Sequence, residues 1–128
     1  MDAPAFLNWD TVEALHRRSL ERFGGLDGVR DVGGLESALA AAENTFYYGG
    51  GDLCDIAAAY AFHLAQSQEF FDGNKRTAVI CALTFLEENG CVGQANELEL
   101  YDAMIAIAQR RLDKTGLAAV LRKQFPEA

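Results

Sequence analysis

Residues 53–86 read LCDIAAAYAFHLAQSQEFFDGNKRTAVICALTFL, two apolar runs joined by a short polar connection. LCDIAAAYAFHLA and AVICALTFL are apolar on nearly every side at helical spacing. A helix of that kind has no face to offer water, so it belongs in the middle of a domain. The pattern predicts helices over 52–67 and 73–89, both central. Between them, FFDGNKRT at 70–77 falls where the second helix begins. A buried helix start gathers unpaired backbone N–H groups and the positive end of the helix dipole, and so attracts anions.

Outward from this pair, a helix is expected over 9–23, with Asn8 as N-cap, Asp10 and Glu13 in its first turn, and Gly24 and Gly25 ending it. Val12, Leu15, Leu20 and Phe23 give it one apolar face. The loop LDGVRDVGG leads to a second helix expected over 35–44, with Leu35, Leu39 and Ala42 in line. Arg30 and Asp31 read as loop pairing, and Glu36 as helix-start capping. Next, Thr45, Phe46, Tyr47 and Tyr48 precede three successive glycines. β-favouring aromatics followed by glycines exclude helix there and predict either a movable, β-like flap near 45–51 or an ordinary connection with its aromatics on the core. Two more helices are expected, over 97–111 through Leu100, Met104, Ile105 and Ala108, and from 113 or 115 to 125. The fold class expected is all-α, a single compact domain over 1–128 with about six helices.

The chain has 128 residues, half of them apolar, and only two prolines, Pro4 and Pro126, which is the composition of one globular domain. Its formal charge of −8 argues against nucleic acid as a direct ligand, because such binding draws on lysines and arginines that neutralise phosphates. Against that background the adjacent pair Lys75 and Arg76 stands out. Cys54, Cys81 and Cys91 lack paired-cysteine spacing, which argues against a zinc site and for a reducing compartment. No basic segment precedes an apolar run at the start, and no apolar stretch approaches the ~20 residues that span a bilayer. A soluble, cytoplasmic protein without a membrane partner is expected.

At the connection, Gly73, Asn74 and Lys75 can offer successive N–H groups to a phosphate, and Lys75 and Arg76 add charge that a guanidinium can deliver to two oxygens at once. Asp72 stands just before them, and one carboxylate beside phosphates is the usual protein share of a magnesium site. The set points to a bound Mg²⁺–nucleotide. The alternative is an N-cap Asp72, a turn at Gly73 and a solvated basic pair. It meets a difficulty: two cations at a helix N-terminus oppose the dipole by ~0.3–1 kcal/mol each when exposed, and call for a compensating anion.

In this stretch the sequence resembles the Fic/Doc family, and more closely its death-on-curing (Doc) branch, whose motif is approximately H-x-F-x-D-G-N-K-R-T-A. Phe70, Asp72, Gly73, Asn74, Lys75, Arg76, Thr77 and Ala78 match it in order. The likeness extends to FLNWDTVEALH near the start, FGGLDGVRDVGGLESAL from residue 23, and ALTFLEENG at the end of the fourth helix. The resemblance implies a helical fold that binds a nucleotide and transfers part of it to a hydroxyl of a target protein. Fic relatives mostly transfer AMP, whereas the Doc branch is a toxin kinase acting on elongation factor Tu and covered by an antitoxin. Lys75, where most AMP-transferring members have glycine, and Val79, where they carry a second arginine, place this sequence with Doc. By the same resemblance, ATP and Mg²⁺ are the cofactors and Asp72 holds the metal. Gly73 and Asn74 form the anion hole, Lys75 and Arg76 hold phosphates, and Phe70 anchors the loop. Phe46, Tyr47 and Tyr48 then belong to a flap that docks the target as an added strand.

The motif departs at its catalytic histidine, which is Gln68 here, followed by Glu69. Glutamine cannot take the proton of an attacking hydroxyl, and loss of a general base costs ~10²–10⁴ in rate. Gln68 can still orient a nucleophile, because phosphoryl transfer depends mostly on positioning and charge neutralisation. The catalytic set expected is Gln68, Asp72 and Arg76, with a catalytically lapsed nucleotide- or protein-binding module as the alternative. Glu69 serves as a base only if the turn aims it inward; its ordinary place is exposed. His63, in an apolar helix, reads as a core histidine, and His16 on the first helix has no assigned role.

Overall fold

The computed structural model describes residues 2–128 and contains six helices among them: α1 (Trp9–Phe23), α2 (Val32–Tyr47), α3 (Leu53–Gln66), α4 (Asn74–Glu88), α5 (Glu97–Ala108) and α6 (Lys114–Gln124). The two apolar runs are α3 and α4, and they pack on each other at the centre. Cys54, Ile56, the run Ala57 to Ala61 and Leu64 are all buried on α3, as are Ala78, Cys81, Ala82, Phe85 and Leu86 on α4. The alanines let neighbouring backbones approach, and Tyr60 and Phe85 fill the gap with ring centroids 5.5 Å apart. Tyr60 keeps its polar end satisfied by accepting the Leu7 N–H at 2.9 Å. α2, α5 and α6 lie against α3, and α1 and α5 against α4.

Each helix start shows why the chain turns helical there. Asn8, Asp31, Asp52, Asn96 and Asp113 accept a first-turn N–H with their side chains at α1, α2, α3, α5 and α6. At α3 the cap is reciprocal, Asp52 accepting from the Asp55 amide and Asp55 from the Asp52 amide. Arg122 of α6 donates to both carboxylates at 2.7–3.0 Å. Burial pushes Asp52 up, but the hydrogen bonds from Arg122 and the Asp55 amide outweigh it and hold the carboxyl below its usual value. α4 alone of the six begins on a glycine, Gly73, with no side-chain cap.

The β-like flap is not formed. Thr45, Phe46 and Tyr47 are the last turn of α2, Tyr48 is its C-cap, and the glycines make the turn that ends it. The Tyr48 amide donates to the Asn44 carbonyl at 2.9 Å, continuing the helical ladder. Tertiary packing overrides strand propensity here, since Phe6 meets Phe46 at 6.1 Å and Tyr47 at 5.8 Å between ring centroids. Phe46 is half-buried, while Tyr47 and Tyr48 are 58% and 87% exposed. α2 also begins three residues early, at Val32, because Asp31 caps it through the Gly34 amide. α5 stops at Ala108 instead of 111, where the chain reverses through Arg110 at φ 61°. No helix among the described residues is long and apolar enough to cross a membrane.

Candidate functional site

The connection between α3 and α4 lies beside the loop that follows α1. Leu26 donates its amide to Asp72 Oδ2 at 2.8 Å, and Phe71 donates to the Gly28 carbonyl at 3.3 Å. Val29 pairs with Phe70 in an antiparallel bridge. The amides of Arg30 and Asp31 both donate to the Glu69 carbonyl, at 2.7 and 3.0 Å, and Arg30 Nε reaches the Gln68 carbonyl at 2.9 Å. Two loops thus run side by side in opposite directions. The close approach requires glycine at one point: Gly25 sits at φ 122°, and a Cβ there would meet Asp72 Cβ at 3.0 Å.

The connection is also closed on itself. Asn74 Oδ1 accepts the Phe70 amide and Asn74 Nδ2 donates to the Phe70 carbonyl, both at 3.0 Å. The Asn74 side chain therefore braces the loop, and its backbone N–H is not drawn into that brace. Beneath, His16 stacks on Phe70 with ring centroids 3.8 Å apart and donates from Nε2 to the Asp72 carbonyl at 2.7 Å. Both rings are buried. Gly73 adopts the left-handed conformation, φ 78°, which turns the chain from this loop into α4.

The outcome is a polar cleft of about 550 Å³ at the start of α4, lined by Gln68, Asp72, Gly73, Asn74, Lys75 and Arg76 together with aromatic side chains at its edge. Every residue expected from the connection is gathered there. Phe46, Tyr47 and Tyr48 are not part of its lining. Uncapped N–H groups, the positive end of a central helix and two cations make the cleft a place for a multiply charged anion. Arg76 is held by aromatic faces, 3.8 Å from the centre of Phe23 and 4.7 Å from that of Tyr101. Sequence patterning put Phe23 on an apolar face and did not single out Tyr101.

Asp72 is the one carboxylate lining the cleft. Among the described residues no group of three or more His, Cys, Asp or Glu side chains could hold a metal. This donor set does not fit a metal held by protein alone. It fits Mg²⁺ shared with phosphates, for which one carboxylate suffices, with the Leu26 amide fixing one of its oxygens.

Among the described residues no histidine or glutamate lines the cleft in the histidine's stead. Gln68 is exposed, and Glu69 is outside the cleft lining: it is buried, not exposed, with one carboxylate oxygen unpartnered. Burial pushes its pKa up. His16 is engaged by Asp72, and His63 is half-buried with Nε2 3.2 Å from Lys114 Nζ, its pKa lowered by burial and by that charge.

Fold and cleft define an all-helical domain whose site opens on the uncapped start of a central helix. Residues 6–86 match the family model described as the Fic/DOC family, and the chain belongs to that family. Over 116 residues it is 34% identical to the "Protein kinase doc" of Escherichia phage P1, covering 90% of this chain and 91% of that protein. It is also 42% identical over 106 residues to the "Toxin Doc" of Mycolicibacterium smegmatis, covering 77% of this chain and 79% of the relative. Within the family it falls in the Doc branch.

Proposed function

We propose that this protein is a Doc-like toxin of a toxin–antitoxin pair that transfers the γ-phosphoryl group of Mg²⁺–ATP to a serine or threonine hydroxyl of a target protein such as elongation factor Tu. The observation that carries the reading is the α4 start: alone among the six helices it lacks a side-chain cap, with Gly73 where the others place a carboxylate or amide, and its first turn bears Lys75 and Arg76 at the cleft. The names of the two relatives, a protein kinase and a toxin, support the same reading.

In this mechanism the N–H groups of the α4 first turn and the Lys75 and Arg76 side chains hold the phosphates, and Asp72 holds the metal. When bound, Mg²⁺ neutralises phosphate charge. The acceptor oxygen forms a bond to the γ-phosphorus as the bond to the bridging oxygen breaks and ADP leaves, and the hydroxyl proton passes to the transferred phosphoryl group or to water. Gln68, at the cleft wall, orients the hydroxyl without taking its proton. Most of the acceleration then rests on positioning and charge. Gln68 in the histidine's place and the burial of Glu69 outside the cleft lining also favour a second reading, a lapsed enzyme that binds nucleotide or a partner without chemistry. AMP transfer is disfavoured by Lys75 and Val79.

The test is incubation with elongation factor Tu, Mg²⁺ and ATP labelled at the α or the γ phosphate. Transfer of γ label that Arg76→Ala abolishes is the expected result. Label moving from the α position overturns the kinase reading, and label that moves only after Gln68→His establishes the lapsed one.

A further inference from the structure

Among the described residues Arg76 makes no ion pair, the arginine pairs being those of Arg17 and Arg122. What holds it is aromatic. Its guanidinium carbon lies 3.8 Å from the centre of Phe23, the last residue of α1, and 4.7 Å from that of Tyr101 on α5. A carboxylate would occupy the in-plane N–H donors and cancel the charge, whereas a ring face attracts the cation through its quadrupole and leaves those donors free. The rings therefore position the group without using it up. The Phe23 ring also carries Arg22, 4.9 Å from its centre, so two like charges share one ring, and among the described residues neither makes an ion pair.

Resting on the phosphotransfer reading of this cleft, we infer that Phe23 and Tyr101 are positioning residues: they clamp the Arg76 guanidinium at the cleft before ligand arrives, so that binding phosphate does not have to order a long, free side chain. Tyr101 is packed against the core and half-buried, which fixes one wall of the clamp, while Phe23 is 45% exposed and forms its outer wall. Tyr101 lies beyond residues 6–86, the span of the family model, and within the match to the phage P1 relative that covers 90% of the chain.

Two measurements on the full chain test the clamp. In the NMR spectrum the side-chain protons of Arg76 should be displaced upfield by the ring currents, should return toward free-arginine positions in Tyr101→Leu, and should stay displaced in Tyr101→Phe. By calorimetry on variants that remain folded at the assay temperature, Tyr101→Leu should weaken Mg²⁺–ATP binding about tenfold, and Tyr101→Phe should restore it, because the ring face and not the hydroxyl is used. Free-arginine shifts in the wild type overturn the clamp. So does a Tyr101→Leu protein that binds as tightly as wild type while Arg76→Ala does not. A wild type with displaced Arg76 protons that binds no nucleotide overturns the phosphotransfer reading and with it the clamp's purpose, leaving its geometry standing.

Discussion

The starts of α3 and α4 lie at the two ends of adjacent, antiparallel central helices, and they are opposites. At α3 the dipole meets Asp52 and Asp55, which cap each other and are covered by Arg122. At α4 it meets a left-handed glycine and two cations. The first end is satisfied within the protein. The second keeps its N–H groups and adds positive charge, a combination that a molecule carrying phosphates completes. Local stability is withheld at one helix start, while an equivalent start shows how it is obtained.

The largest test makes α4 resemble α3. Lys75→Glu should weaken Mg²⁺–ATP binding by about 100-fold, from lost and then repulsive contacts, measured by calorimetry. The same change should raise thermal stability slightly, by about 0.5–1 kcal/mol, because an acid now faces the helix start. A variant that loses both affinity and stability would sink the comparison. The reverse change at the other end, Asp52→Ala, should lower stability by about 1–2 kcal/mol, or about 3–8 °C in melting temperature, and leave nucleotide affinity unchanged.

Acid should act on the two ends differently. The Asp52 carboxyl sits below its usual 3.8, so its contribution is complete above that pH and disappears as pH falls through the lower folded value. Glu69, behind the α4 start, is raised above 4.5, so its burial is harmless in acid and destabilising once pH rises through the folded value. Glu69→Gln should therefore melt higher than wild type at pH 8, on the order of 1 kcal/mol, with the gap closing by pH 4 in parallel thermal melts. The smallest effect is expected for Tyr48→Ala: the residue is 87% exposed and outside the cleft, so γ-phosphate transfer should change less than about twofold. A large loss would return the aromatic segment to target docking.

The contrast between the two starts also marks what the sequence could reveal. α1 has the bounds its caps predict, and α3 and α4 differ by one residue at each end, because Asn8, Asp52 and Gly73 are local signals. The segment at 45–47 misled because its aromatics are held by Phe6, far away in sequence, and strand propensity carries no information about that contact. In the cleft, the residue types from 68 to 76 were legible from charge and glycine placement and from the family motif. The brace by Asn74, the stacking of His16 and the ring of Tyr101 are contacts across the fold that no spacing rule contains. Gly25 was the one visible hint of loop proximity, and it reads equally well as a simple helix stop.

The pairing of the two loops bears on how the protein is made. Its hydrogen bonds join residues 46 and 38 positions apart, Leu26 with Asp72 and Arg30 with Gln68, and neither loop has regular structure of its own to hold a shape in isolation. While the chain is still emerging from the ribosome, residues 26–31 have no partner until α3 has followed them out, and the Tyr101 wall comes later still. Motif and cleft are thus separate events in time: the sequence 70–77 is present well before the geometry. The amides of Arg30 and Asp31, both bonded to the Glu69 carbonyl, are the natural reporters of that delay, and their protection from hydrogen exchange should appear only when α1, α3 and α4 have docked.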